Sequence, residues 1–208
     1  MDLESKKGIS YRPDALFYGA SSIKAPYIAS VVWLHPGALD RFKDEIQETL
    51  QTSDDACYKD VLAAYGAEPM RQFCADAGAR ASIATSLPWA SYSPRDLALM
   101  WGRAWVLWRW HHPSDVLGSW SQAPTVSTIH DALGASWVTR SKAGYIDAEG
   151  ETHPAINGGK PIFRVSNDAG VVYAANGPYV VAIMSNVPAD LSALDELTLA
   201  IDAAHAEM

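Results

Sequence analysis

The stretch Ser21-Ser22-Ile23-Lys24 places a serine and a lysine three residues apart at the start of a predicted helix. Side chains with this spacing share one helix face. The unpaired N–H groups of a helix start favour a developing oxyanion near the serine, and a partly desolvated lysine assists removal of its hydroxyl proton. The spacing is common by chance, so it predicts a nucleophile only in combination with other segments.

Two further segments supply such a combination. Ser53-Asp54-Asp55 follows an amphipathic helix and opens another helix, and Ser141-Lys142-Ala143-Gly144-Tyr145 lies on a predicted strand. Two serines and two lysines in these contexts form the side-chain set of a proton-shuttling acyl-transfer site. No cofactor and no metal are needed for that chemistry.

The periodicity of apolar residues predicts helices in the middle of the chain and strands towards both ends. The predicted helices cover about 20–34, 39–50, 56–65, 69–77, 93–110 and 189–206, and the predicted strands cover 9–11, 135–139, 141–147, 170–175 and 179–185. Asn176-Gly177 is a hairpin turn signal, and 78–92 is predicted to be a loop. Strands that do not alternate with helices favour an α+β fold with one antiparallel sheet.

Composition excludes several classes of function. The chain has 208 residues and a formal net charge of −8, without the basic stripe of a general nucleic-acid binder. The apolar runs are too short to span a bilayer, and Met1 to Lys7 contain no apolar segment of a signal peptide. Neither the two cysteines nor the histidines have metal-ligand spacing. Cys57 and Cys74 remain open between one bridge and two buried thiols.

The tryptophans at positions 101, 105 and 108 follow helical spacing. This stripe is typical of core packing, with a sugar-binding platform as the alternative.

Taken together, the three motifs resemble those of class A β-lactamases and related penicillin-binding serine hydrolases. The resemblance extends over nearly the whole chain and includes 18–26, 53–66, 93–98, 167–172 and 179–186. It implies a β-lactamase/transpeptidase-like fold in which an antiparallel sheet is flanked by N- and C-terminal helices and a mid-chain helical cluster. One catalytic domain is expected over 1–208.

The resemblance also implies roles for individual residues. Ser21 would be the acylated nucleophile, Lys24 the general base or proton relay, and Ser53 the donor of a proton to the leaving nitrogen. Lys142 would hold the proton network and the substrate carboxylate. The backbone N–H groups of Ser21 and Tyr145 would form the oxyanion hole, on a substrate-binding edge that includes Asp55, Ala143 and Gly144. The implied partner is a β-lactam or a D-alanyl-type peptide of peptidoglycan, with the oligomeric state left open.

Three positions depart from the family pattern. Asp55 replaces an asparagine that would donate to the substrate amide carbonyl, and its carboxylate is expected to favour a protonated Lys24. Ala143 replaces a hydroxyl-bearing residue. Residues 79–90 contain no carboxylate, where class A enzymes carry the glutamate that activates the deacylating water.

A persistent acyl-enzyme is therefore expected. A catalytically degenerate peptidoglycan- or ligand-binding domain and a Ser/Lys esterase remain the alternatives.

Two further expectations follow from the resemblance. Members usually act outside the cytoplasm, so an extracytoplasmic location is expected although this chain shows no export signal. Asp2-Leu3-Glu4 matches the end of the first strand of the sheet, so the N-terminal helix and part of that strand are expected to be missing from this chain.

Overall fold

The main sheet has three antiparallel strands in the order β3-β4-β5. The computed structural model describes residues 1–110, 115–122, 124–146 and 165–208. Its strands are β3 (Val138–Ile146), β4 (Val165–Ala174) and β5 (Gly177–Ser185). Asp2 forms an isolated antiparallel bridge with Tyr179, so the first residues of the chain lie along the outer side of β5. The predicted turn at Asn176-Gly177 does join β4 to β5.

A separate two-stranded ribbon pairs β1 (Phe17–Tyr18) with β2 (Ser91–Tyr92). The region predicted as a loop, 78–92, contains β2 and the short helix α6 (Ser82–Thr85). The strand predicted at Ile9–Tyr11 is wrong: Ile9 is 58% exposed and Tyr11 82% exposed, and this segment pairs with no described strand. Apolar side chains without a covering layer gave a misleading strand signal.

The remaining helices include the predicted ones, although the helix predicted over 39–50 is divided in two and the last helix begins at Asp195; the short helices Asp115–Trp120 and Thr128–Leu133 are additional to those predicted. These remaining helices are α1 (Lys24–Leu34), α2 (Ala38–Arg41), α3 (Lys43–Gln51), α4 (Asp55–Tyr65), α5 (Glu68–Ala77), α7 (Pro94–Trp110), α8 (Asp115–Trp120), α9 (Thr128–Leu133) and α10 (Asp195–Ala206). The two predicted strands over 135–147 are one strand, β3, and Asp147 lies outside the described residues.

Helices cover both faces of the sheet. Val171 and Val180 point into the larger core, which α1, α5 and α7 share, whereas Val172 and Val181 point into a second cluster with residues of α9. This alternation is the period of two expected of a strand buried on both sides. The predicted α+β class with an antiparallel sheet is confirmed.

The tryptophan stripe belongs to the larger core. Trp101, Trp105 and Trp108 are all buried, and the rings of Trp101 and Trp108 meet edge to face at 5.5 Å. Cys57 and Cys74 are free thiols. Among the described helices, none is long and apolar enough to cross a membrane.

Candidate active site

Ser21 sits on a tightly held turn between β1 and α1. Ala20 has a φ of +46°, a left-handed conformation that a residue with a Cβ adopts only when its surroundings impose it. Residues Ala20–Ile23 then form one 3-10 turn that runs directly into α1. The Ser21 side chain is half-buried and its hydroxyl forms no hydrogen bond with any described residue. The turn therefore presents a hydroxyl that is not engaged within the protein.

Ser22 fixes this turn from behind. Its hydroxyl donates to the Gly19 carbonyl at 2.7 Å and lies 2.7 Å from the hydroxyl of Tyr92, which is fully buried on β2. A Cβ on Gly19 would overlap the Tyr92 ring, so the turn and β2 pack at a distance that only glycine allows. Sequence reasoning did not single out Ser22 or Tyr92.

Strand β3 passes against the backbone of the same turn at Gly144. A Cβ at this position would lie 2.7 Å from both the Ser21 nitrogen and the Gly19 oxygen, closer than real Cβ contacts. Opposite Gly144 on β4, the buried Asn167 donates to the Tyr18 carbonyl at 2.8 Å. Glycine and asparagine together hold the sheet edge against the nucleophile turn.

Tyr145 follows Gly144 on the outer edge of the sheet. The Ser141 N–H points away from β4, since it donates to the Ser121 carbonyl at 3.0 Å. Backbone N–H directions alternate along a regular strand, so the N–H groups of Ala143 and Tyr145 point to that same outer edge. The Tyr145 side chain is 46% exposed. Its N–H thus belongs to the edge that passes the Ser21 backbone.

A buried lysine pair meets at Ser53. Lys24 Nζ donates to the Ser53 carbonyl at 2.6 Å and lies 3.3 Å from its hydroxyl, while Lys142 Nζ donates to the same hydroxyl at 2.9 Å. Ser53 has a φ of +65°, which turns its carbonyl and its hydroxyl towards the lysines. Asp54 caps α4 through the Cys57 N–H, confirming the helix start predicted there. The hydroxyl of Ser53 thus bridges two amines.

Asp55 completes this network with an ion pair. Its Oδ1 lies 2.5 Å from Lys24 Nζ, and its side chain is 55% exposed while that of Lys24 is fully buried. Lys24 Nζ also lies 5.7 Å from the centre of the Tyr58 ring. Lys24 is bonded to Ser53 and Asp55, and no hydrogen bond joins it to the Ser21 hydroxyl.

Burial sets the protonation of both lysines. It lowers the pKa of Lys142 to about 7, with a further reduction from the nearby charge of Lys24. Burial also lowers the pKa of Lys24, and the Asp55 carboxylate opposes that shift without cancelling it. Behind β3, burial raises the pKa of Asp168 to about 6, although its Oδ2 accepts from Ser127 and from the Ile129 N–H. Lys142 can therefore change its protonation near neutral pH.

Comparison with known proteins identifies the family and the fold. A family model described as the beta-lactamase enzyme family matches residues 31–204, most of the chain. The chain belongs to the beta-lactamase enzyme family. No curated protein matches it in a sequence comparison.

Solved structures show the same fold at low sequence identity. A leucine-to-glutamate variant of PBP-A, determined as its acyl-enzyme complex with penicillin G, is 18% identical, with a TM-score of 0.75 over 100% of this chain and 89% of that one. A β-lactamase from Chitinophaga pinensis is 15% identical, with a TM-score of 0.71 over 98% and 92%. An ancestral class A β-lactamase is 17% identical, with a TM-score of 0.65 over 97% and 89%. The β-lactamase-like fold predicted from the motifs is confirmed.

The predicted site residues of this beta-lactamase family member converge in two groups. Hydrogen bonds join Lys24, Ser53, Asp55 and Lys142, and backbone packing joins Ser21 to Gly144. The family model begins after Ser21 and Lys24, so the nucleophile segment is placed by the structure and not by that match. No described group of histidine, cysteine and acidic side chains is placed to hold a metal.

Ala143 requires a correction. Its methyl group is buried in the second cluster with Ile129 and Val172, on the face of β3 opposite Lys142 and Gly144. The side chain at this position therefore packs against the α9 layer and does not line the site. Ala143 reaches the site through its backbone carbonyl, which accepts a hydrogen bond from Lys142 Nζ at 2.9 Å.

The segment 79–90 of this family member lies against the nucleophile turn. The Gly19 N–H donates to the Ala90 carbonyl at 3.0 Å, and Trp89 packs against the small cluster that contains Ala20. The only charged side chain in the segment, Arg80, pairs at 2.6 Å with the buried Asp96 at the start of α7. Hence the wall beside Ser21 offers aromatic and aliphatic groups but no base.

Proposed function

We propose that this family member is a penicillin-binding serine hydrolase that forms a long-lived acyl-enzyme on Ser21. The observation that carries the proposal is the chain of hydrogen bonds from Lys24 through Ser53 to Lys142, beside an unengaged hydroxyl whose turn abuts Gly144. A nucleophile, two amines and a bridging hydroxyl are the groups that acyl transfer requires.

In the proposed acylation, Ser21 Oγ attacks the carbonyl carbon of a β-lactam or D-alanyl-type amide. The hydroxyl proton passes to Lys24, whose pKa is lowered by burial. Lys24 must first exchange Asp55 or Ser53 for the Ser21 hydroxyl, since it is bonded to those two residues. The backbone N–H groups of Ser21 and Tyr145 stabilise the oxyanion, and each such donor contributes roughly 3–4 kcal/mol in comparable sites.

Collapse of the tetrahedral intermediate breaks the C–N bond. The proton taken from Ser21 returns to the leaving nitrogen through Ser53, which accepts hydrogen bonds from both Lys24 and Lys142. Lys142 also supplies positive charge for a substrate carboxylate whenever it is protonated. The products of this half-reaction are an ester on Ser21 and a free amine.

Hydrolysis of that ester is expected to be slow. Water attack needs a base next to the acyl carbonyl, and residues 79–90 provide no carboxylate or histidine there. The proposed enzyme therefore accumulates as the acylated form.

One observation favours the second candidate, a binding domain without turnover. Lys24 is held at 2.5 Å from Asp55, so an ionised carboxylate competes with Ser21 for the amine. In that case ligands would bind without forming an ester. A Ser/Lys esterase differs only in accepting small activated esters.

The deciding experiment is intact-mass analysis after incubation with benzylpenicillin. The expected result is a stoichiometric adduct that persists for hours, is absent from Ser21→Ala, and is released by added hydroxylamine. Rapid hydrolysis without an adduct would contradict slow deacylation. Binding without an adduct or hydrolysis would support the binding domain, and cleavage of p-nitrophenyl acetate alone would support the esterase.

The compartment follows from the substrate class. We propose that the protein acts outside the cytoplasm, in the cell envelope, where peptidoglycan peptides occur. This proposed location rests on the family resemblance. Fractionation of the native host with an antibody to the protein tests it.

A further inference from the structure

The exposed half of the Asp55 carboxylate is the feature of the site that the proposed reaction does not use. Oδ1 is bonded to Lys24 Nζ, which is the only hydrogen-bond donor to this carboxylate among the described residues. The side chain is nevertheless 55% exposed. One carboxylate oxygen therefore remains available to a ligand at the start of α4.

An ionised carboxylate accepts hydrogen bonds and donates none. An asparagine at this position would instead offer an N–H to a carbonyl oxygen of the substrate. A ligand carbonyl placed against Asp55 would bring two acceptors together without a proton between them, and this arrangement is unfavourable at short range. A ligand N–H at the same place would form a charge-assisted hydrogen bond.

The charges around Asp55 do not reverse this preference. Both lysines are buried below Asp55: Lys24 pairs with Oδ1 and with Ser53, and Lys142 is bonded to Ser53, so neither amine reaches the exposed side of the carboxylate. Lys59, an exposed lysine on α4, has its Nζ 5.6 Å from the centre of the Trp89 ring and so is directed to the 79–90 segment. The neighbouring Asp54 is exposed and adds a second negative charge at the helix start. Cationic ligand groups are favoured on this side of the site.

We propose that Asp55 is a specificity-determining residue that selects substrates presenting an N–H donor, preferably a cationic amidine or ammonium, where a common penicillin presents its side-chain amide carbonyl. This inference rests on the proposed function, since it assigns the substrate class of the same site. It predicts that penicillins with a neutral amide side chain bind poorly because two hydrogen-bond acceptors meet at Asp55, and not because of a steric clash.

The test compares benzylpenicillin with a 6β-amidinopenicillin, in which a protonated amidine replaces the side-chain amide. Dissociation constants are measured by calorimetry on Ser21→Ala, and acylation rate constants are measured on the protein with Ser21 intact. The preference is the ratio of the two ligands within one protein. Effects of a substitution that act equally on both ligands cancel in that ratio.

Asp55→Asn is expected to shift the preference towards benzylpenicillin by roughly tenfold or more, the value of one hydrogen bond to a charged group. Asp60→Asn is the matched control. It removes the same charge from an exposed position of the same helix and is expected to leave the preference unchanged.

An unchanged preference in Asp55→Asn would overturn the inference, as would an equal shift in Asp60→Asn. These measurements distinguish failure of the proposed substrate preference from failure of the proposed acyl-enzyme. A shifted binding ratio on Ser21→Ala without acylation of the intact protein would support the inference and refute the acyl-enzyme. Acylation by both penicillins with a flat ratio would do the reverse, and no binding at all would refute both.

Discussion

The two walls beside Ser21 differ in how closely they keep the family pattern. On one wall, β3 presses Gly144 against the nucleophile backbone, and Lys142 reaches Ser53 from the same strand. On the other, residues 79–90 place Trp89 against the cluster that contains Ala20 but carry no base. In the proposed reaction, the first wall serves formation of the acyl-enzyme, and the second would serve its hydrolysis. Groups for the two half-reactions of one site are thus carried by separate segments, and one set can be absent without the other.

The largest expected effect comes from a substitution at Gly144, in the wall that β3 forms. Gly144→Ala places a methyl group against the backbone nitrogens of Ser21 and Ser22, which cannot move aside as a flexible side chain would. The strand must shift, and the Tyr145 N–H shifts with it. Acylation by benzylpenicillin is expected to fall at least about a hundredfold, the value of one misplaced oxyanion donor.

Stopped-flow measurement of adduct formation tests this effect. Gly37→Ala is the control, because a Cβ there meets no atom within 4 Å. Acylation at the original rate in Gly144→Ala would show that β3 does not set the oxyanion geometry.

The second effect rebuilds the incomplete wall. Leu87 is half-buried, packs at the border of the larger core and lies two residues before Trp89, on the segment whose end contacts the nucleophile turn. Leu87→Glu supplies a carboxylate able to accept a proton from water, so hydrolysis of the acyl-enzyme is expected to accelerate about tenfold, below the range of well-placed bases.

Loss of the adduct over time, followed by mass, measures this rate. Leu87→Gln has the same size without a basic carboxylate and is expected to leave the adduct lifetime unchanged. Equal acceleration by glutamine would point to loosened packing instead of base catalysis.

The smallest effect is a pH-dependent change in the free energy of unfolding that arises from Lys142, on the wall that β3 forms. Burial holds the folded-state pKa of Lys142 near 7, below its ordinary value of 10.5. Between these values the unfolded chain binds more protons than the folded one, so stability rises with pH across that window. The penalty for burying the charge is complete below about pH 7 and disappears above about pH 10.5.

Lys142→Met removes this penalty. It is expected to raise the melting temperature by several degrees at pH 6, since 1 kcal/mol corresponds to about 2–4 °C in a chain of this size. The gain is expected to shrink as pH approaches 10. Lys59→Met, which changes an exposed lysine, is the control. A gain independent of pH would attribute the effect to packing and not to charge.

The sequence predicted which residues form the site better than it predicted which way their side chains point. The helical spacing places Ser21 and Lys24 on one face of a helix. The period of two along β3 likewise places Lys142 and Gly144 on one face of the strand. Neither pattern says which layer covers that face, so Ala143 was assigned to the site although it packs in the second cluster. The contacts of Asn167 and Tyr92 with the nucleophile turn join residues that are seventy or more positions apart. A single sequence carries no signal for such pairs.

For the fold as well, the length of the periodic apolar pattern determined which helices and strands could be predicted. The long helices and the strands of the main sheet have periodic apolar residues over many positions, and they were found. Strand β2 has only two residues and depends on β1 for its hydrogen bonds, so its pattern is too short to detect. The expected opposition of Asp55 to a neutral Lys24 is present, but the burial of Lys24 outweighs it. Burial of a single amine depends on the whole packing and cannot be estimated from its neighbours in sequence.

The two cysteines make covalent labelling of this protein unusually easy to interpret. Burial, together with the hydrogen bond to Asp54, raises the pKa of Cys57 to about 11, and burial raises that of Cys74 to about 12. Thiolates are the reactive form of cysteine, and both groups stay almost wholly protonated at neutral pH. Electrophilic probes used at pH 7 are therefore expected to react slowly with both sulfurs, and a fluorescent penicillin is expected to label the proposed nucleophile Ser21 in preference to either thiol.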